Sequence, residues 1–286
     1  MKLDGCHTAL VTPFQKDGRV DEAAFSRIVD MQIKGGVSGL VPCGSTGESA
    51  TLTHEEHRRV IELTLEQSSG RVPVIAGVAS NATWKAVELA REAESLGADA
   101  LLLLAPYYNK PTQEGLYEHF KAVAKGTRLP CVVYNIPGRC AVNIAPGTIA
   151  RLAKDLPNVV AVKEAAGSLD QVSEILVKAP KGFTVLSGDD SLTLPMMSVG
   201  AKGVISVISN IAPKETSRLV SHKQPSLHLK MFPLIKALFS ETNPIPVKAA
   251  LELMGVCRGE PRLPLTPMTA ANRALLKKEL KSFGLI

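Results

Sequence analysis

One lysine in this chain is surrounded by residues that suit an amine nucleophile. Lys163 closes the apolar run Val159-Val160-Ala161-Val162. Burial there disfavours the ammonium and lowers the pKa, and a neutral amine condenses with a ketone to a Schiff base. An ordinary ion pair with Glu164, or with an Asp at the same rim, fits the position equally well. Gly44-Ser45-Thr46-Gly47 offers backbone N–H groups in a tight turn plus two hydroxyls, a cradle for a carboxylate, although a Gly-rich turn needs no ligand. Tyr108 and Tyr134, two of only four tyrosines, can carry protons between a carbinolamine and a departing water; each also suits an interface. Arg139, just past Pro137-Gly138, can clamp a carboxylate with two parallel hydrogen bonds or stay on the surface. Taken together, these groups describe a site for a small keto acid. The lysine takes the ketone, hydroxyls take its carboxylate, phenols move protons, and the arginine holds a second acid.

Such residues need a scaffold that brings the ends of many strands to one mouth. The apolar runs are His7–Val11, Gly39–Pro42, Val72–Ala76, Ala100–Leu104, Pro130–Tyr134, Val159–Val162, Phe183–Leu186 and Gly203–Val207. They lack strict alternation, as strands buried on both faces of a parallel sheet do. Helical patterns separate them. Thr53-His54-Glu55-Glu56 and Ser168-Leu169-Asp170-Gln171 read as capping boxes, and Asp21 opens a helix that ends near Gly35-Gly36. Eight strand–helix units from about residue 5 to 223 predict an α/β fold, a (β/α)8 TIM barrel. The rival is a doubly wound sheet. Even unit spacing and the lack of G-x-G-x-x-G after the first run speak against it. Beyond Gln224 there are three helical patterns and no strand-like run, which divides the chain into a barrel catalytic domain (1–224) and a C-terminal helical extension (225–286). In a barrel, reacting groups sit at the C-terminal strand ends. Those ends carry Thr12, Gly44–Glu48, Tyr107-Tyr108-Asn109, Tyr134-Asn135, Lys163-Glu164, Gly188-Asp189-Asp190 and Ser206.

Composition narrows the partners. With 286 residues, 45% hydrophobic and 21% charged, the chain has enough apolar surface to fold. Lys plus Arg exceeds Asp plus Glu by 33 to 27, but the excess is dispersed, and one Trp with four Tyr gives no stacking surface for nucleic acid. The longest apolar run, Ala98 to Pro106, is too short to span a membrane. No basic segment followed by an apolar stretch marks Met1 to Thr8, so a cytoplasmic location is expected. Five scattered cysteines without C-x-x-C spacing predict reduced, mostly packed thiols. His54 and His57, three apart, lack a third ligand, and no P-loop or Ser-His-Asp pattern competes.

Five ordered segments carry a resemblance that runs from about residue 3 to the C-terminus. They are Gly44–Leu52, Pro106–Pro111, Tyr134–Arg139, Val162–Ala165 and Asn243-Pro244-Ile245-Pro246-Val247-Lys248. The chain thereby resembles the dihydrodipicolinate synthase family, within the pyruvate-dependent class I lyases and aldolases. The resemblance implies a lyase that condenses pyruvate with L-aspartate 4-semialdehyde on the diaminopimelate route to lysine. It implies Lys163 as Schiff-base residue, Tyr134 as central acid/base, and Ser45 linking Tyr134 to a Tyr108 supplied by a neighbouring subunit. Thr46 would hold the pyruvate carboxylate, with Ile205 nearby and Gly188 shaping the floor, and Arg139 would take the aldehyde's carboxylate. No metal or organic cofactor is implied, and a homotetramer, a dimer of dimers, is. The rivals are a retro-aldol enzyme on a sugar acid (N-acetylneuraminate or 2-keto-3-deoxygluconate) and a non-catalytic keto-acid sensor.

Three departures from that pattern stand out. Ser45 replaces the usual Thr, as in sialic acid lyases, and Cys140-Ala141 replaces a common Thr-Gly. The lysine-inhibition site of the family corresponds to Ser49, Ala50, His54, His57, Asn81 and Tyr107, but Lys85 stands where an acidic residue would meet the effector's ammonium. Like charges repel at that range, so weak or absent inhibition by L-lysine is expected.

Overall fold

The structure, a computed structural model, describes residues 2–286. The chain begins with β1 (Gly5–Ala9), α1 (Glu22–Lys34), β2 (Gly39–Val41), α2 (His54–Ser68), β3 (Ile75–Val78) and α3 (Thr83–Leu96). It continues with β4 (Ala100–Leu104), α4 (Gln113–Lys125), β5 (Cys131–Asn135), the short α5 (Pro137–Cys140), α6 (Pro146–Asp155) and β6 (Val159–Glu164). Then come α7 (Leu169–Lys178), β7 (Thr184–Ser187), α8 (Thr193–Ser198), β8 (Gly203–Ser206) and α9 (Pro213–His222). Three further helices close the chain, α10 (Pro225–Leu238), α11 (Ile245–Leu253) and α12 (Ala270–Phe283).

The eight strands run parallel in the order β2-β1-β8-β7-β6-β5-β4-β3, and a single bridge, Leu40 to Val74, closes the ring. This is the (β/α)8 barrel that the spacing predicts. Two apolar layers result. Ala9, Val41, Ile75, Leu102, Val132, Ala161, Leu186 and Ile205 fill the interior, while alternate residues such as Leu101, Leu103, Val133 and Val162 pack under the helices. Burial on both faces explains why the runs read as continuously apolar.

Helix starts follow local chemistry. Asp21 accepts from Ala24 N, and Thr53 with Glu56 forms a full reciprocal box. The second expected box is only half made. Ser168 caps Gln171 N, but the Gln171 amide turns instead to the buried Glu164 carboxylate (3.1 Å) and to Asn143. Two strands are displaced from the apolar runs. β3 starts at Ile75 instead of Val72, because Pro73 has no N–H for the ladder. β1 starts at Gly5 and stops before Val11, whose N–H is taken by Asn210 Oδ1. Gly5 faces Gly203 so closely that a Cβ on Gly203 would meet the Gly5 carbonyl at 1.9 Å, and a strand begun by glycine has no apolar signature.

All five cysteines are free, and four are buried. No helix among the described residues is long and apolar enough to cross a membrane.

Candidate active site

Strand alternation decides which groups meet inside the barrel. On β5, Val132 and Tyr134 point inward while Val133 and Asn135 point outward; on β6, Ala161 and Lys163 point inward while Val162 and Glu164 do not. Tyr134 and Lys163 are register partners, and Lys163 Nζ lies 4.0 Å from the centre of the Tyr134 ring. The alternative pairing of Lys163 with Glu164 is therefore not formed. Glu164 faces the helix layer, where Asn135 Nδ2 (3.0 Å), Gln171 Nε2 (3.1 Å) and Ala166 N (2.7 Å) donate to it.

Lys163 is buried, and burial pulls its pKa from 10.5 down to about 7. The charge of Asp190 pulls the other way, and that of Arg139 adds to the lowering. Burial also raises the Tyr134 phenol, with Arg139 offsetting part of the rise. At neutral pH the pair is thus an amine with a large neutral fraction and a phenol that keeps its proton. Gly188 leaves room for the lysine stem, since a Cβ there would lie 2.8 Å from Ala165 Cβ and 3.1 Å from Lys163 Cε.

Two connected chambers lead to this pair. The inner one, of about 40 Å3, is lined by Gly44, Ser45, Thr46, Tyr134, Arg139, Lys163 and Gly188, with Phe239 and Asn243 from the last third of the chain. The outer one, of about 300 Å3, shares Ser45, Arg139 and Asn243 and adds Ser49, Ala50, Tyr107 and Cys140. Asn243 ties the rim together. Its Nδ2 donates to Thr46 Oγ1 (2.9 Å), which leaves the threonine proton free for a ligand, and its carbonyl accepts from Arg139 Nη2 (2.7 Å). In the sequence Asn243-Pro244 stands only within a segment that carries the family resemblance, and nothing local to it signals a contact with residues so distant.

The hydroxyl loop is fixed from several sides. Thr12 Oγ1 donates to Gly47 O (2.8 Å), and a Cβ on Gly47 would lie 3.0 Å from Leu10 O. Glu48 adopts φ 54°, a left-handed conformation that costs a non-glycine about 1 kcal/mol. The loop after β4 is also strained, with Tyr108 at φ 74° and Lys110 at φ 46°. Asn81 Nδ2 holds the Tyr107 carbonyl (3.2 Å) and Asn109 Nδ2 holds Asn81 O (2.9 Å).

Other expected residues lie elsewhere. Tyr108 is 87% exposed and lines neither chamber. Ile205 is packed in the barrel interior, and Val207 lines the inner chamber in its place. Ser49, Ala50 and Tyr107 face the outer chamber, whereas His54, His57, Asn81 and Lys85 stand outside it. His54 pairs with Glu92 (3.2 Å), and buried His57 donates Nε2–H to Gly77 O (3.0 Å), so each is already engaged. No group of three or more metal-ligating side chains occurs among the described residues. Cys140 is buried and its thiol is pushed up to about 11, which fits packing and not a reactive thiolate.

A sequence model of the dihydrodipicolinate synthetase family matches residues 2–283. The 4-hydroxy-tetrahydrodipicolinate synthase of Pelobacter propionicus is 53% identical, with 99% of each chain covered. Among solved structures, dihydrodipicolinate synthase from Thermotoga maritima superposes with a TM-score of 0.97 at 46% identity, with 99% of each chain covered. The chloride-inhibited synthase of Acinetobacter baumannii, solved in complex with pyruvate, gives 0.97 at 42% identity over the whole of both chains. These relatives carry a synthase activity, that of a lyase, and do not favour the sugar-acid cleavage weighed above. The chain belongs to the dihydrodipicolinate synthetase family.

Proposed function

We propose that this protein condenses pyruvate with L-aspartate 4-semialdehyde to 4-hydroxy-tetrahydrodipicolinate, on the diaminopimelate route to L-lysine. The observation that carries the reading is a buried lysine of lowered pKa, set against the Tyr134 ring at the base of a chamber whose rim joins Thr46 to Arg139. Neutral Lys163 attacks the pyruvate ketone, and the Tyr134 phenol passes a proton to the departing water as the imine forms. Thr46 with its loop holds the pyruvate carboxylate. Loss of a methyl proton gives the enamine, whose carbon attacks the aldehyde. The amine of the second substrate then displaces Lys163, closing the ring and returning the free lysine. Arg139 binds the carboxylate of the second substrate from the outer chamber. Gly188 shapes the floor, with the backbone of Ile205 near the pyruvate carboxylate in this reading.

Ser45 and Tyr108 complete a proton relay in this reading, with Tyr108 acting in a neighbouring subunit's site. Its exposure and its left-handed backbone support a surface that meets a second copy. The assembly is a homotetramer, a dimer of dimers, in the cytoplasm. Ser49, Ala50, His54, His57, Asn81 and Tyr107, with Lys85 as the unfavourable charge, form a lysine site that binds weakly or not at all. Burial lowers the pKa of His57, with Lys85 adding a minor push in the same direction, and Glu92, two turns further along α3, is held by His54.

The test is a coupled assay with both substrates, NADPH and the downstream reductase, run on wild type and Arg139→Ala. Loss of a charge-assisted carboxylate clamp should lower kcat/KM for the aldehyde by on the order of 100-fold. Absence of condensation, with pyruvate released from N-acetylneuraminate or 2-keto-3-deoxygluconate, would overturn the reading. L-Lysine added to the same assay should leave the rate nearly unchanged, and low-micromolar inhibition would refute the weak site.

A further inference from the structure

Beside the hydroxyl loop lies an ion pair that the reaction itself does not use. The Lys248 side chain, on α11, is 0% exposed and that of Glu48 only 2%. Lys248 Nζ donates to Glu48 Oε1 (2.5 Å) and to Thr12 O (3.1 Å), and lies 4.2 Å from the centre of the Phe14 ring. The other carboxylate oxygen, Glu48 Oε2, accepts from Arg262 N (2.9 Å). The Arg262 side chain stacks on the same Phe14 ring (4.2 Å) and reaches Thr51 O (2.7 Å), Gly18 O (2.7 Å) and Glu56. Two separate segments of the last third of the chain thus converge on one carboxylate, next in sequence to the loop that faces Lys163.

Burying both charges is a poor way to gain stability, because desolvation offsets most of the attraction and apolar side chains of similar volume do as well. An ion pair differs from an apolar contact in being directional. Glu48 holds a left-handed backbone at the end of a turn closed by Gly47 N to Gly44 O (3.1 Å) and Glu48 N to Ser45 O (3.2 Å), and its anchored carboxylate adds a side-chain restraint to that turn. Thr12 reinforces the arrangement, since its carbonyl accepts from Lys248 while its hydroxyl holds Gly47 O. We propose that Glu48 and Lys248 are a positioning pair that holds the Gly44–Gly47 loop in its carboxylate-receiving shape, making recognition of the keto acid depend on the helical extension. This rests on the functional reading above for the identity of that acid.

The double variant Glu48→Gln with Lys248→Met removes both charges at nearly constant volume. In the coupled assay its kcat/KM for pyruvate should fall by about tenfold or more, while kcat/KM for the aldehyde stays within about threefold. Saturating pyruvate should restore borohydride trapping of the imine. Equal losses for both substrates would mean general loosening of the site, and no loss would mean an inert pair; either overturns the proposal. Should the double variant not fold, Glu48→Asp decides. It keeps the charge but shortens the anchor, and the same one-sided loss is expected, its absence counting against the pair. Wild type that fails to trap pyruvate defeats the functional reading, whereas wild type that traps it beside an unaffected folded variant defeats the positioning pair alone.

Discussion

At the floor of the inner chamber, two adjacent strands supply the reacting groups, since Lys163 and Tyr134 are register partners on β6 and β5. At the rim, by contrast, Thr46 and Arg139 are joined through Asn243, 197 and 104 residues away in sequence. The floor is set by a period of two and by burial, and its partners lie in neighbouring units of one repeat. The rim is set by single long-range hydrogen bonds from a part of the chain outside the repeat. The first kind of order creates reactivity, because the burial that shapes the barrel also lowers the lysine's pKa. The second kind creates recognition, and it depends on side chains that no local pattern announces.

The largest expected effect tests the floor. Lys163→Met should lower kcat/KM by at least about 10⁴-fold and abolish imine trapping by borohydride. In wild type, trapping should quicken with pH up to about 7 and then level, as the amine loses its proton. Stability should move in the complementary sense. Because the folded-state pKa, about 7, lies below the ordinary 10.5, the cost of the buried ammonium is present in full below pH 7. It fades as pH rises from there toward 10.5, where the unfolded chain also becomes neutral. Lys163→Met should therefore raise Tm most below pH 7, and a uniform effect across pH would break the account. A smaller loss is expected at the rim. Asn243→Ala removes the amide that donates to Thr46 but keeps the backbone carbonyl that accepts from Arg139, so it should cost roughly tenfold in kcat/KM for pyruvate and leave that for the aldehyde within about threefold. Equal losses for both substrates would show that the amide also sets the course of the backbone that Arg139 grips.

The smallest effect concerns Ala141, which caps α5 at φ 58°. Ala141→Gly should stabilise the fold by about 0.5–1 kcal/mol, a rise of roughly 1–4 °C in Tm. An unchanged Tm would mean that the left-handed alanine is not strained.

The same contrast governs what could be read from the sequence. Eight units, the inward turn of Lys163 and the location of reacting residues at strand ends were legible, because each depends on periodicity within a few residues. Whether Lys163 paired with Glu164 was not, until the register showed the two on opposite faces of β6. The onset of β1 at Gly5 was hidden by a contact between two glycines, and Pro73 moved the onset of β3. Asn243, Lys248 and Arg262 were invisible as site residues because their roles exist only once the extension folds back over the loop. The exposed face of Tyr108 belongs to the same class, since a single chain gives its phenol nothing to meet.

The closing bridge of the barrel has one more consequence. β2 and β3 are joined by one bridge, flanked by Leu40 N to Pro73 O (2.9 Å) and Gly77 N to Pro42 O (3.0 Å), while β4, β5 and β6 share extended ladders. Native-state amide exchange should therefore be least protected along this seam, the cheapest place for the sheet to part. The hydroxyl loop leaves directly from β2, so breathing of the seam would carry the loop with it. The side chains that reach across from the extension act as a brace over the thinly stitched edge, and link the opening of the barrel to the order of the site.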